Sequence, residues 1–249
     1  MKSLTFTRSY AVLSLALAWL CGTAGASTLF WGSPFPGGTP LLVDSNGQPL
    51  DGSYSFEIGS FGAFVPTYQN VDQWVANWKV FDRAYDPTPA DPFDGDPEGW
   101  NTEFGFFAGT VDHNAAGGSD SPDANPLDVF AQGEKIYLWA YNSKDIVPTS
   151  EWALVTDSNL VGNNGDAWIF PDPLDPPGMS YDLQLDDADE AVIGGVNGVQ
   201  GPGGYTSTPP LFSLQTAVVP EPGSAFLLFA AAAAHFIRRS RRLTRSVMP

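Results

Sequence analysis

Glycine and proline interrupt this chain so often that long helices and long strands are excluded from most of it. The 249 residues include 26 glycines and 22 prolines. Glycine weakens regular elements through its conformational freedom, and proline through its fixed φ and missing N–H. Short β-type runs separated by turn residues are typical of an antiparallel sandwich. The sequence therefore predicts a mainly β, jelly-roll-like single domain with one short helix.

In several of the predicted strands, apolar side chains recur at every second position, which places them on one face of the strand. Tyr54, Phe56 and Ile58 share one face of their run, and Asn46-Gly47 marks a tight turn between two others. The predicted strands are 28–31, 41–44, 53–59, 101–111, 135–142, 152–156, 167–170, 181–185 and 211–215.

Residues 70–85 break this rhythm and predict the single helix. Asn70 and Gln73 suit a capping box, and Asp86-Pro87 would end the helix. The apolar residues alternate spacings of three and four, which places them on one helical face: Val71, Trp74, Trp78, Phe81 and Tyr85. The two tryptophans are expected to fill the core. Segments 86–99 and 112–128 are predicted loops, and 194–210 is either a loop or a linker.

The N-terminus has the pattern of a secretory signal peptide. Lys2 and Arg8 precede an apolar stretch at 11–20, and Ala24-Gly25-Ala26 forms a cleavage site for signal peptidase. We expect residues 1–26 to be removed. Leu20 occupies a position where a lipoprotein needs a small residue, which disfavours lipidation of Cys21. The mature chain would contain no cysteine, so packing alone must hold it together.

The C-terminus combines a proline motif, an apolar segment and a basic end. Pro220-Glu221-Pro222 should be extended and accessible. Residues 225–237 carry no charge apart from His235, and as a helix they would span about 20 Å, less than the roughly 30 Å of a bilayer core. The positive-inside rule places the following arginines in the cytoplasm: Arg238, Arg239, Arg241 and Arg242. A disordered or amphipathic basic tail is the alternative.

This ordered tail resembles the PEP-CTERM sorting signal of Gram-negative bacteria. Segments 53–59, 137–142 and 168–171 also look like exported proteins that carry this signal. The resemblance implies recognition by an exosortase-type membrane protease and transient anchoring in the membrane. It also implies delivery to the cell surface or beyond, and a matrix role beside exopolysaccharide, as in biofilms, without any known activity. The organisation would be a signal peptide (1–26), an exported β-rich domain (27–216) and a sorting signal (217–245).

Removing both signals exposes a strongly acidic domain. Residues 27–219 hold 27 acids and four bases, a net charge of −23, which excludes nucleic acid as a partner. Such acidity serves solubility or salt adaptation, or it binds divalent cations. Asp94, Asp96 and Glu98 match the opening of a calcium loop, although Gly105 stands where a bidentate glutamate belongs. Two further acidic clusters are weaker calcium candidates: Asp120, Asp123, Asn125 and Asp128, and Asp186, Asp187, Asp189 and Glu190.

The sequence offers few residues or motifs that are typical of enzyme active sites. His113 is the one histidine between the signals, and it sits in a predicted surface loop. Zinc sites need more histidine or cysteine, and no nucleophile elbow occurs. We therefore expect no enzyme and no cofactor. A structural or matrix role is favoured over a carbohydrate- or calcium-binding module, for which Trp100, Trp152 and Trp168 would supply exposed aromatic side chains.

Overall fold

The computed structural model of the protein describes residues 25–34, 41–84, 99–102, 105–158, 167–176 and 178–220. Residues 1–24 of the predicted signal peptide (1–26) and the tail from Glu221 onward lie outside these ranges. The described chain is mainly β and contains one short α-helix, α1 (Trp74–Asn77). Its strands are β1 (Ala26–Gly32), β2 (Leu42–Val43), β3 (Ser55–Ser60), β4 (Lys79–Ala84), β5 (Gly99–Asn101), β6 (Phe106–Asn114), β7 (Tyr137–Tyr141), β8 (Glu151–Thr156), β9 (Met179–Gln184), β10 (Glu190–Ile193), β11 (Gly195–Val196), β12 (Val199–Gln200), β13 (Leu214–Gln215) and β14 (Ala217–Val218).

The strands form three sheets. A four-stranded sheet has the order β5-β6-β1-β9, and a six-stranded sheet has the order β10-β8-β7-β3-β4 with β14 also paired to β8. A small sheet, β12-β11-β13-β2, lies beside them. Most pairs are antiparallel, as predicted, but β1 pairs with β9 and β2 with β13 in parallel. The predicted mainly β architecture is thus confirmed, with two parallel pairs added.

The main core lies between the four-stranded and six-stranded sheets. Phe56 of β3 stacks on Phe107 of β6 with ring centroids 4.2 Å apart. Trp100 packs against Phe56, with ring centroids 4.9 Å apart. Leu29 and Ile58 belong to this cluster and are almost fully buried. The contacts join inward-facing residues of both sheets, as in a sandwich.

The six-stranded sheet is also covered on its outer face. Trp139 of β7 and Trp152 of β8 point outward and are fully buried beneath Trp74 of α1. Trp74 stacks on Trp152 at 5.6 Å and meets Trp139 edge-on at 5.9 Å. Phe61 completes the layer. Because both faces are covered, every residue of β7 and β8 is buried.

The predicted helix over 70–85 is wrong beyond Asn77. Residues Tyr68–Gln73 form a 3₁₀ helix that continues into α1, and Trp78 is already extended, with φ −76° and ψ 128°. Residues 79–84 are β4, which pairs with β3 and sends Phe81 into the main core. The helical spacing arose by coincidence, and sheet pairing overrode it. Asn70 is not the N-cap of the predicted capping box with Gln73; it occupies the N3 position of a capping box that begins at Thr67, and its Oδ1 accepts a hydrogen bond from the Thr67 N–H at 2.8 Å.

Other segment boundaries also differ from the predictions. Residues 167–170 form no strand and contribute only a bridge between Ile169 and Lys135. The segment 194–210 is neither linker nor plain loop, because β11 and β12 lie within it. The fold continues past the predicted boundary at 216, since β14 pairs with β8 and Val219 is 2% exposed. The residues that join the domain to the tail are therefore part of the domain.

The Phe56–Phe107 contact predicts a large loss of stability on truncation. Phe56→Ala should lower the free energy of unfolding by about 3 to 5 kcal/mol, because it leaves a cavity between the two large sheets. Phe56→Leu should cost less and keeps the experiment readable if the alanine variant fails to fold. Val65→Ala, at a 70% exposed position, is the control and should change stability by less than about 0.5 kcal/mol. Urea unfolding gives the values, and equal losses at both positions would contradict this packing.

Candidate functional site

Glu57 is a charged residue in the apolar outer layer of the six-stranded sheet. It lies in β3, whose alternation turns Phe56 and Ile58 into the main core and Glu57 to the opposite face. In the sheet register it sits between Trp139 of β7 and Arg83 of β4. The carboxylate side chain is 0% exposed. A charge in this position needs partners, because burying it unpaired is very costly.

Two of the four cations of the domain bind the Glu57 carboxylate. Arg83 donates from Nε at 2.8 Å and from a terminal nitrogen at 2.5 Å, both to Oε1. Lys144 donates to Oε2 at 2.6 Å. The Tyr141 hydroxyl donates to Oε1 at 2.6 Å, and the Trp78 indole donates to Oε2 at 2.8 Å. Both oxygens are thus saturated by donors from β4, β7, the 143–145 turn and the end of α1.

These partners keep Glu57 ionised. Burial alone would raise its pKa, but Lys144, Tyr141 and Arg83 outweigh that effect and hold the pKa below the ordinary 4.5. Burial and the nearby Glu57 charge raise the pKa of Tyr141, which therefore remains protonated. Burial lowers the pKa of Lys144 despite its pairing with Glu57. Lys144 also packs over the Trp139 and Tyr141 rings, 5.3 and 5.0 Å from their centroids.

The cluster around Glu57 is arranged for structure rather than for catalysis. A general base needs a free lone pair within reach of substrate. Glu57 offers none, because five donor groups surround a carboxylate that has no exposed surface. Sequence reasoning missed this residue. The available signal was an acid at an outward position of an apolar strand, in a domain with few cations to pair it.

A second buried carboxylate, Glu151, is satisfied without a cation among the described residues. Its oxygens accept hydrogen bonds from the Ser45 N–H at 2.9 Å and the Ser45 hydroxyl at 2.6 Å. They also accept from the hydroxyls of Thr216 at 2.7 Å and Tyr54 at 3.2 Å. The bonds tie the turn after β2 and the residue before β14 to the start of β8. Glu151 therefore fastens the C-terminal end of the fold.

The tryptophans considered for carbohydrate binding and the histidine of the domain are buried. Trp100 and Trp152 are 0% exposed and Trp168 is 3% exposed, so they fill cores and present no carbohydrate platform. Among the described aromatic side chains, Phe30 alone is exposed, at 44%. The expectation that His113 lies in a surface loop is wrong, because β6 extends through it and it is 0% exposed. Its Nε2 lies 3.2 Å from the Phe130 carbonyl oxygen, and burial lowers its pKa.

The acidic clusters do not assemble into a metal site within the described ranges. No group of three or more histidine, cysteine or acidic side chains there is arranged to hold an ion. Asp123 pairs instead with Arg83 at 3.5 Å, and Asp120 accepts from the Asn114 amide at 2.8 Å. Asp189 accepts from both the backbone and the hydroxyl of Ser158. The calcium-loop residues Asp94, Asp96 and Glu98 lie outside the described ranges.

The residues predicted to direct sorting and processing lie at or beyond the ends of the described ranges. Ala26 opens β1, and Pro220 follows the buried Val219 directly. Outside the described ranges lie Ala24, Glu221, Pro222 and the arginines Arg238, Arg239, Arg241 and Arg242. In the part of the chain that the structure covers, no helix has the length and apolarity to cross a membrane.

Comparison with known proteins adds nothing to this geometry as a guide to function. No family model, no curated protein and no solved structure matches the chain.

The Glu57 cluster predicts unequal effects for two charge-matched substitutions. Arg83→Met removes a bidentate partner from a buried carboxylate and should cost about 3 kcal/mol of unfolding free energy. Lys135→Met removes a cation from the Lys135–Glu190 pair, whose side chains are 37% and 44% exposed, and should cost less than about 1 kcal/mol. Both variants lose one positive charge, so general charge effects cancel. Similar urea midpoints for the two variants would contradict a structural role for the cluster.

The same cluster predicts a change in acid stability. Because folding lowers the pKa of Glu57, its contribution is complete above the ordinary value of 4.5 and is lost as pH falls through the folded pKa. Arg83→Met should raise the folded pKa toward 4.5, so the variant has less of this contribution to lose and its stability converges on that of the wild type as the pH falls. The test is to measure the urea unfolding midpoint of both proteins from neutral to acidic pH. Parallel curves for wild type and Arg83→Met would refute it.

Proposed function

We propose that this chain is an exported structural protein of the cell surface or extracellular matrix. One observation carries the proposal: the two buried glutamates and the three candidate tryptophans are used inside the fold. Glu57 and Glu151 are saturated, and the candidate tryptophans are buried. What the domain offers to its surroundings is an acidic, well-hydrated surface. A module of this kind acts by its presence and its charge, beside exopolysaccharide, rather than by turnover.

The ends of the chain support export and sorting in this proposal. Pro220-Glu221-Pro222, the apolar segment 225–237 and the arginines after it occur in the order of a sorting signal. Signal peptidase and an exosortase-type protease would be the processing partners. Val219 is the last buried residue that the structure describes, so the apolar segment starts no more than about 20 Å of chain beyond it. An anchored form would therefore hold the domain close to the bilayer until it is released.

A carbohydrate- or calcium-binding module is the weaker alternative. The three tryptophans that would support carbohydrate binding are buried. Three acids of the two clusters that would support calcium binding are engaged in internal contacts: Asp120 and Asp189 in hydrogen bonds and Asp123 in an ion pair.

Mass spectrometry of the native protein tests the proposed sorting. We expect a C-terminus near residues 220–222 on the exported form. Pro222→Ala should leave a longer, membrane-associated chain, because it alters the motif that the protease reads. Pro210→Ala, a proline change at an exposed position outside the motif, should be processed normally. An intact Pro249 on the wild-type protein would overturn the proposal.

A further inference from the structure

We infer that signal peptidase cuts after Ala24, so that the mature chain begins at Gly25 rather than at Ser27. The inference rests on the export that the proposed function requires. It moves the processing site two residues upstream of the cut predicted from Ala24-Gly25-Ala26, and it is argued from what those residues do in the fold.

Gly25 and Ala26 are parts of the folded domain. Ala26 is the first residue of β1 and pairs with Asn114 of β6. Strand β1 is an interior strand, held by β6 on one side and by β9 on the other. Gly25 is buried against the 173–175 turn, where an added Cβ would lie 2.7 Å from the Asp175 carbonyl oxygen and 3.2 Å from that of Pro173. A cut after Ala26 would remove both residues from this packing.

A chain terminus at Ser27 would lie in an unsuitable environment. Ser27 is 0% exposed, and its hydroxyl has no hydrogen-bond partner in the described chain. It lies opposite His113, whose Nδ1 also lacks a partner and whose pKa burial lowers. Even a neutral hydroxyl is unsatisfied here. A charged α-amino group on the same residue would be placed beside a neutral imidazole, and burial of an unpaired charge is very costly.

The sequence allows the earlier cut. Signal peptidase requires small residues at the first and third positions before the cleaved bond. A cut after Ala24 meets this requirement with Ala24 and Gly22, and a cut after Ala26 meets it with Ala26 and Ala24. Both bonds are chemically acceptable to the peptidase. Only the earlier cut leaves β1 complete and places the new amino group before the buried strand.

N-terminal sequencing and the intact mass of the exported full-length chain, expressed in a Gram-negative host, decide the question. We expect Gly25 as the first residue. Ser27 as the first residue would overturn this inference while leaving export intact. Retention of Met1 would instead overturn the export on which the proposed function depends, and with it this inference.

Two glutamine substitutions provide matched variants. Ala26→Gln removes the small residue required only by the later cut, so we expect processing to continue at the wild-type position. Gly22→Gln removes the small residue required only by the earlier cut, so we expect slower removal of the signal or a shift to Ser27. The opposite pattern, with Ala26→Gln blocked and Gly22→Gln unaffected, would overturn the inference. Because the readout is the first residue of the chain, it does not depend on how well either variant folds.

Discussion

A central sheet covered on both faces is the constraint on which the rest of this structure depends. Strands β7 and β8 are buried along their whole length, between the four-stranded sheet on one side and the layer around Trp74 on the other. Such two-sided burial supplies apolar contact area that a sandwich of two sheets alone would lack. It matters because Cys21 is the one cysteine of the sequence, so no disulfide within the chain can hold the fold together. The aromatic outer layer provides stability of the kind that small secreted domains obtain from disulfides.

Two-sided burial leaves few places for charge, and the protein handles its buried carboxylates in two different ways. Glu57 is balanced by cations, Arg83 and Lys144, whose side chains remain 33% and 25% exposed. Glu151 is held by hydroxyl and backbone donors instead. The cations are scarce, and each of the four is engaged in an ion pair within the described ranges. Asp82 and Asp157 are also buried, whereas acids such as Asp72, Asp120 and Asp182 are exposed and contribute to the negative surface.

The sequence predicted the class of fold because strand periodicity and turn residues are local signals. Tyr54, Phe56 and Ile58 alternate, and the Asn46-Gly47 turn follows β2 with Gly47 at φ 77°. Segment 79–84 was wrongly predicted as helix, because Trp78 and Phe81 fit a helical spacing as well as a strand. Only the pairing with β3 distinguishes a strand from a helix here. The Glu57 cluster joins residues up to 87 positions apart. Such a site is not contained in any local pattern and depends on the sheet register.

The short strand β14 has a mechanical consequence for a chain held at its C-terminal end. A pull on residues beyond Pro220 acts first on the hydrogen bond from the Val219 N–H to the Ser150 carbonyl oxygen, and then on the two-residue pairing with β8. Thr216, bound to Glu151, is the next point of resistance. Because the load reaches these bonds one after another, β14 would separate from β8 before the other strands of the six-stranded sheet are strained. The last described residues of the fold would therefore detach first when the tail is pulled, and the rest of the domain would stay folded.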